Sequence, residues 1–164
     1  MANFWYNNAL AKLVDRTLDL TSGTFKILLV TATYTPNRDH TVVNDSSGTG
    51  SATNPRGCEL GQQAACTNYA RQTTTITSGV DHANDRVNVA ITDVSFASLG
   101  GVDDQTVRRA ILFKDLGGAD TANPLIACFD IDGPGGSGIL TNGGDLDLDA
   151  NALGSGGNLR ITSA

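Results

Sequence analysis

The stretches that decide the fold are VRRAILFK (Val107 to Lys114) and PLIACFDI (Pro124 to Ile131). Both are short and apolar, and in the second Leu125, Ala127, Phe129 and Ile131 alternate with other residues so that they face one way. Short apolar or alternating runs bounded by glycine and proline are typical of β-strands. We predict that these two stretches form the central pair of strands.

Further short segments predict additional strands around this pair. The best of them is FKILLVT (25–31), an apolar run rich in β-forming residues. Alternation predicts others at TTTIT (73–77), RVNVAIT (86–92), DVSFA (93–97), DLDLD (145–149) and NLRIT (158–162), with turns at Gly79 and Gly100-Gly101. Seven or eight short strands joined by glycine-rich turns, including GPGGSG (133–138) and GSGG (154–157), predict an antiparallel β-sandwich.

The composition favours one mostly β domain. The chain has 164 residues, a net charge of -6, 19 Gly, and 16 Asp against a single Glu, Glu59. Glu and Lys normally fill helix surfaces, whereas Asp, Asn, Thr and Gly favour turns and strands, so a helical bundle is disfavoured. With 40% hydrophobic and 17% charged residues, the chain also differs from a disordered one.

Two regions depart from the β pattern. Tyr6, Leu10, Leu13 and Val14 recur at helical spacing behind Asn3, which predicts an N-terminal α-helix over about residues 4–15 with Asn3 as its cap. Residues 35–66 are polar and rich in Gly, Asn, Ser and Pro. We predict that this second region is a long surface loop.

Three consecutive aromatic residues, Phe4, Trp5 and Tyr6, fall within the predicted helix. A helix buries one stripe of its surface, so at least one of the three is expected to face outward or into a partner. Trp and Tyr are enriched at the energetic centres of interfaces, which makes this triplet a candidate contact. The alternative is that the helix packs onto its own sandwich.

Histidines and cysteines give little indication of catalysis. His40 and His82 lie beside Asp or Asn in predicted loops, but no nucleophile elbow of the GxSxG type occurs, and exposed turn histidines are expected. Cys58, Cys66 and Cys128 are an odd number without CxxC spacing, which does not indicate a zinc site. Reduced thiols are favoured over a Cys58–Cys66 disulfide.

The acidic residues are interpreted as turn formers and solvated surface. Asp145, Asp147 and Asp149 would share one strand face about 7 Å apart, whereas calcium needs several oxygens around one point. Asp81 to Asp85 and Asp103-Asp104 are predicted to bond local backbone amides. The glycine-rich stretches lack the GK[ST] ending of a phosphate loop. We therefore predict no catalytic residue, no metal and no cofactor.

The charge pattern also argues against several partners. An acidic chain with three Lys and eight scattered Arg lacks the basic stripe that binds nucleic acid. No run approaches 18 apolar residues, so no membrane span is expected. The first residues, MANFWYNNALAKLVDR, do not have the pattern of a signal peptide and are expected to belong to the mature fold.

The order of several motifs resembles a widespread family of small tailed-bacteriophage and prophage structural proteins. The similar pieces are NNALAKL, then VTATYTPNRDHTVVND (30–45) with its T-x-Y-T-P-N-x-D pattern, then NDRVNVAITDVSF, and finally VRRAILFKDLGGADTANPLIACFDI. Together they span most of the chain. The sequence departs from the family pattern between Ser47 and Arg71, where a longer excursion holds two cysteines, and again near its end.

This resemblance implies a virion component, most simply a capsid decoration (cement) protein on the capsid surface, assembled in the host cytoplasm. Its partner would be the major capsid protein, and it would form a homo-oligomer, for which a trimer at a local threefold axis is natural. The candidate contacts are Phe4, Trp5 and Tyr6, together with Tyr34, Pro36 and Asn37 at the start of the long loop.

Three other functions remain open on the sequence alone. The protein could belong to the tail, neck or baseplate of a phage. It could be a displayed carbohydrate- or receptor-binding module, for which Trp5, Tyr34 and Tyr69 are the candidate stacking residues. A hydrolase is the least favoured of the three.

Overall fold

The computed structural model describes residues 3–45, 54–62, 64–83, 86–131, 136–149 and 159–162. In these ranges the chain forms one α-helix, one 3-10 turn and eleven strands. Their bounds are β1 (Phe4–Trp5), α1 (Asn7–Val14), β2 (Thr24–Thr31), the 3-10 turn (Arg56–Cys58), β3 (Gln72–Thr74), β4 (Ile76–Asp81), β5 (Arg86–Ile91), β6 (Val94–Phe96), β7 (Thr106–Asp115), β8 (Leu125–Asp130), β9 (Ile139–Leu140), β10 (Leu146–Leu148) and β11 (Leu159–Thr162).

The core is built on one antiparallel sheet with the strand order β1-β8-β7-β2-β3, and β9 pairs with one end of β7. At its centre Leu112 of β7 lies opposite Ile27 of β2 and Ala127 of β8. Every residue of β8 is buried, which fits its nearly continuous apolar sequence. The predicted central pair is therefore confirmed, and so is the predicted core strand at 25–31.

The stretch predicted as one strand at 73–77 contributes to two sheets. It breaks at Thr75, where the backbone oxygen accepts a hydrogen bond from the Thr92 amide. Before this point β3 pairs with β2, and after it β4 enters a smaller sheet of order β11-β5-β4. The predicted turn at Gly79 is wrong, because Gly79 lies inside β4 opposite Asn88.

A third, two-stranded sheet joins β6 to β10. Leu148 is buried while Asp145, Asp147 and Asp149 are exposed, so the predicted alternation of DLDLD is confirmed. The mainly β fold with antiparallel sheets and one N-terminal helix is also confirmed, and the three sheets are compatible with a sandwich arrangement. The strands outnumber the predicted seven or eight for two reasons. The two-residue strands β1 and β9 are too short for alternation to be recognised, and the stretch at 73–77 is divided between β3 and β4.

The N-terminus differs from its prediction. The helix begins at Asn7, and residues 4–5 form strand β1, in which Phe4 lies opposite Cys128 and Trp5 opposite Ala127. Tyr6 occupies the N-cap position without a side-chain capping bond.

Asn3 is therefore not the helix cap. Its side-chain oxygen accepts a hydrogen bond from the backbone amide of Asp130 on β8 instead. This bond extends the attachment of β1 to the central sheet by one residue.

The expectation that part of the aromatic triplet faces outward is also wrong. Phe4, Trp5 and Tyr6 are only 3%, 5% and 0% exposed. Successive side chains of a strand point to opposite faces, and residues on the two sides of β1 are both covered here. A helix could not have buried three adjacent side chains in this way.

The predicted surface loop at 35–66 lies partly in the interior, which corrects that prediction. Among its described residues, Val42 forms an isolated bridge with Pro124, and Glu59 forms one with Val30. The Leu60 amide donates to the Leu29 oxygen, so the segment continues the sheet edge beyond the end of β3. Its buried residues are His40, Val43, Asp45, Asn54, Pro55, Cys58, Glu59 and Leu60.

Candidate functional sites

The six predicted contact residues fall into a buried group and a surface group. Tyr34 is 1% exposed and belongs to the buried group together with the aromatic triplet. Pro36 is half-buried and Asn37 is exposed. The structure thus brings these residues into one neighbourhood, but only the second group is available to a partner.

The surface group belongs to the 35–39 loop, which is held in place by the N-terminal segment. The Asn7 amide donates to the Arg38 backbone oxygen at 2.9 Å, and the Asn7 side chain donates to the Asp39 carboxylate at 2.7 Å. The Arg38 guanidinium lies 5.0 Å from the centre of the Phe4 ring. A cation over an aromatic face is attracted by the ring quadrupole. Phe4 of the aromatic triplet therefore packs against the 35–39 loop.

A chain of hydrogen bonds anchors the loop to the core. The Tyr34 hydroxyl lies 2.8 Å from the Tyr6 hydroxyl and 3.1 Å from Nδ1 of His40. Burial raises the pKa of Tyr6 and Tyr34 well above the usual value, so both hydroxyls stay protonated. Arg109 donates to the Tyr34 backbone oxygen at 3.3 Å. These hydrogen bonds fix the position at which the 35–39 loop leaves the central sheet.

The two histidines differ from each other. His40 is buried, which is contrary to the prediction of an exposed turn residue, because its ring completes the tyrosine chain. Burial lowers its pKa, and the carboxylates of Asp45 and Asp39 oppose that shift. His82 is exposed in a turn, as predicted. The geometry of His40 is that of a structural hydrogen-bonding group.

An ion-pair cluster that the sequence reasoning missed lies at the base of the long excursion. Glu59 is 2% exposed, and both of its carboxylate oxygens accept 2.7 Å hydrogen bonds from Arg71. Arg71 also donates to both oxygens of Asp120, at 2.7 and 2.8 Å. Arg56 donates to Glu59 at 2.6 Å and contacts Asp120 at 3.2 Å. We call Arg56, Glu59, Arg71 and Asp120 the Glu59 cluster.

Further contacts surround the Glu59 cluster and shift the pKa of two of the groups involved. The Tyr69 hydroxyl donates to Glu59 at 2.8 Å, and burial raises the pKa of that hydroxyl. Hydrogen bonds from Arg71 hold the pKa of Asp120 below its usual value. The Arg71 guanidinium also lies 5.2 Å from the centre of the Phe113 ring. The cluster thus attaches residues 56–71 to strand β7 and to the turn before β8.

An open cavity of about 470 Å³ borders the cluster and is lined by Arg56, Gln62, Cys66, Tyr69 and Arg71, among others. The strongest hydrogen-bond donors that line this cavity, the guanidinium groups of Arg56 and Arg71, already bond Glu59 and Asp120. The signal that could have revealed the cluster was Glu59 itself, the only glutamate of the chain, placed in an otherwise uncharged stretch before Arg71.

The three cysteines are free thiols. Cys58 and Cys128 are buried, and Cys66 is half-buried. Burial raises the pKa of all three, that of Cys128 to about 12. Because the thiolate is the reactive form, these side chains are held in their unreactive state.

Several aspartates form turns, as the sequence predicted for this residue type. Asp104 accepts a 2.6 Å bond from the Gly101 amide, and Asp19 accepts a 2.7 Å bond from the Thr21 amide. Asp81 lies at the end of β4, and Asp85 lies outside the described residues, as does GSGG at 154–157. Within the described ranges no three His, Cys, Asp or Glu side chains form a group suited to a metal ion.

No helix in the described part of the chain is long and apolar enough to cross a membrane. In comparisons with known proteins, the chain matches no protein family, no curated protein and no solved structure. The resemblance to phage structural proteins therefore stays a prediction from the sequence motifs.

Proposed function

We propose that this protein is a tailed-bacteriophage virion protein that decorates the capsid, binds the major capsid protein and reinforces the shell. The observation that carries the proposal is the order of the motifs, from NNALAKL through the T-x-Y-T-P-N-x-D pattern to the PLI strand. The proposed location is the outer surface of the capsid, after assembly in the host cytoplasm.

The geometry of the motif residues supports this function. The central Tyr34 is a core anchor, whereas Thr35, Asn37, Arg38 and Asp39 are exposed. A loop that is fixed at both ends on a rigid sheet loses little conformational entropy when it binds. Such a loop suits repeated, shape-complementary contacts with a protein shell.

Many copies on one shell make modest individual contacts sufficient. When several sites engage together, the overall affinity exceeds that of each contact without any new chemistry. A homo-oligomer, with a trimer at a local threefold axis as the natural form, would use this effect.

The test is to add the purified protein to shells of the phage that encodes it, assembled without this chain, and to sediment them. We expect the protein to sediment with the shells and to saturate at a fixed copy number. A map of the intact particle should place it on the head. Absence from the sediment and from wild-type particles would overturn the proposal, and density in the tail, neck or baseplate would favour that alternative.

The 35–39 loop can be tested in the same assay. Replacing the exposed Asn37 by Ala removes the acceptor of the Asp39 amide bond and should weaken binding. Asn44→Ala changes another exposed asparagine of the same segment and serves as the control. Equal binding of both variants would show that Asn37 is not a shell contact.

The carbohydrate-binding alternative is less well supported by the structure. Of its three candidate stacking residues, Trp5 and Tyr34 are buried. Tyr69 lines the open cavity, but its ring already stacks on Phe96, with 6.2 Å between the ring centres. A glycan array with binding above background would revive this alternative.

A further inference from the structure

Residues 142 and 143 form an Asn-Gly pair, which occurs once in the chain. In such a pair the backbone nitrogen of the glycine can attack the side-chain carbonyl carbon of the asparagine, because glycine has no side chain that shields its nitrogen. Asn142 is exposed and Gly143 is half-buried, and both lie in the connection between β9 and β10. The pair is therefore a candidate site of spontaneous chemical modification.

The fold requires glycine at position 143. Gly143 has a φ of +83°, and a Cβ added to it would lie 3.3 Å from the Cα of Gly101. A side chain here would be strained by the backbone conformation and crowded by the opposite backbone. Asn142 also has a structural part, since its Oδ1 accepts a 3.1 Å hydrogen bond from the Gly144 amide, in a turn typical of asparagine. The Asn-Gly pair thus follows from the geometry of this turn.

Hydrogen bonds engage the nitrogen that would react. The Gly143 amide donates to the Leu99 backbone oxygen at 2.8 Å, and the Leu99 amide donates to the Gly144 oxygen at 2.9 Å. Beside them the Ser98 amide donates to the Asp145 carboxylate at 2.7 Å. We call these three bonds the Leu99 contact. An amide that donates to a carbonyl oxygen is protected from losing its proton, so the Gly143 nitrogen is a poor nucleophile while the contact is closed.

We propose that Asn142 is a deamidation site that is gated by the Leu99 contact. The site reacts only in molecules in which this contact has opened, and the rest of the fold stays folded during the opening. The inference goes beyond the proposed function and does not depend on it.

The reaction needs only water and a base from the solvent. The base removes the proton of the Gly143 amide, and the nitrogen forms a bond to Cγ of Asn142. The bond from Cγ to the side-chain nitrogen breaks, and ammonia leaves with a proton taken from the solvent. Water then opens the resulting succinimide ring at either carbonyl and yields aspartate or isoaspartate, without oxidation or reduction.

The isoaspartate product changes the backbone at a position that has no spare room. Its main chain runs through the former side chain and is one carbon longer between residues 142 and 143. This carbon is inserted where Gly143 packs closely against Gly101. The isoaspartate form should therefore be unable to restore the Leu99 contact.

The first test compares the folded and unfolded full chain at the same mildly alkaline pH. Peptide mass spectrometry follows the replacement of the side-chain NH₂ of Asn142 by OH over time. The folded protein should deamidate at least about tenfold more slowly than the chain unfolded in concentrated urea, because only the open fraction reacts. Equal rates in the two conditions would overturn the proposal.

The second test loosens the contact with a matched pair of variants. Gly101→Ala places a methyl group 3.3 Å from the Cα of Gly143 at a φ of +104°, and should raise the rate of deamidation in the folded protein about tenfold. Gly117→Ala also imposes a positive φ, +75°, but its Cβ would have no atom within 4 Å. This control should deamidate at the rate of the wild type.

A milder pair keeps the test decisive where Gly101→Ala does not fold. Asp145→Ala removes the acceptor of the Ser98 amide bond and should also accelerate deamidation. Asp147→Ala changes another exposed aspartate of the same segment and serves as its control.

Hydrogen exchange separates local opening from unfolding of the whole protein. If a variant deamidates faster than its control while amides within β7 exchange at the wild-type rate, the gate is the Leu99 contact, as proposed. If exchange within β7 accelerates to the same extent, the reaction requires global unfolding and the proposal is overturned. Variants that deamidate no faster than their controls would also overturn it.

Discussion

Two regions of the fold are held firmly in place by different interactions. One is the pair of strands β7 and β8, and the other is the excursion, residues 54–62 and 64–71. The strands are held mainly by apolar burial, with Leu112 and every residue of β8 buried, and one buried ion pair, Arg108 with Asp130, also joins them. The excursion is held by the Glu59 cluster, in which two carboxylates and two guanidinium groups share short hydrogen bonds. Apolar burial of a strand can be recognised from a local sequence pattern, whereas the ion pairs of the Glu59 cluster cannot.

The largest expected effect is on the apolar side of this comparison. Leu112→Ala should lower the free energy of unfolding by about 3 to 5 kcal/mol, because it removes buried methyl groups and leaves a cavity between β2 and β8. Leu116→Ala, an identical substitution at an exposed residue, should change it by less than about 0.5 kcal/mol. Denaturant unfolding measures both. Similar losses for the two variants would contradict the central position of β7.

The ionic side is expected to be weaker and more local. Glu59→Gln removes one of the two carboxylates that pair with the Arg71 guanidinium, each at 2.7 Å, and should cost about 2 to 3 kcal/mol. In this variant, hydrogen exchange should become faster than in the wild type at the Leu60 amide, which donates to the Leu29 oxygen. Amides within β7 should change less.

The control for this prediction is Asp147→Asn, which neutralises an exposed carboxylate and should leave hydrogen exchange unchanged. Uniformly faster exchange over β7 and β8 in Glu59→Gln would show that the cluster supports the whole fold and not the excursion alone.

This contrast also explains how far the sequence could be interpreted. The apolar runs at β2, β7 and β8 predicted the central strands, since hydrophobic pattern is a local signal. In the Glu59 cluster Arg71 bonds Glu59 and Asp120, which lie 12 and 49 positions from it along the chain, and no local pattern specifies such pairings. The sequence predicts a helix at the aromatic triplet, because a two-residue strand gives no periodic pattern. The burial of the triplet follows only from the pairing of β1 with β8.

The candidate contact surface shows the same limit. The motif indicates Pro36 and Asn37 as candidate contacts, and the structure shows that the other four candidates, Phe4, Trp5, Tyr6 and Tyr34, are buried.

The smallest predicted effect concerns the polar anchor of the 35–39 loop. Burial holds the pKa of His40 below its ordinary value of 6.5 in the folded protein, so the unfolded chain binds the proton more readily. The stability contributed by neutral His40 is therefore fully present above pH 6.5 and is lost as the pH falls below that value towards the folded-state pKa. Protonated His40 carries a hydrogen on Nδ1, so this nitrogen would have to donate to the Tyr34 hydroxyl.

The prediction is a decrease in the free energy of unfolding between pH 6.5 and 5 that is smaller in His40→Gln than in the wild type. Denaturant unfolding across this range measures it, and His82→Gln, at an exposed turn, is the matched control. Titration of the His40 ring by NMR should give a pKa below the ordinary value of 6.5. If the ring titrates at that ordinary value, His40 is open to solvent, and the 35–39 loop lacks the rigid anchor that its proposed contact role requires.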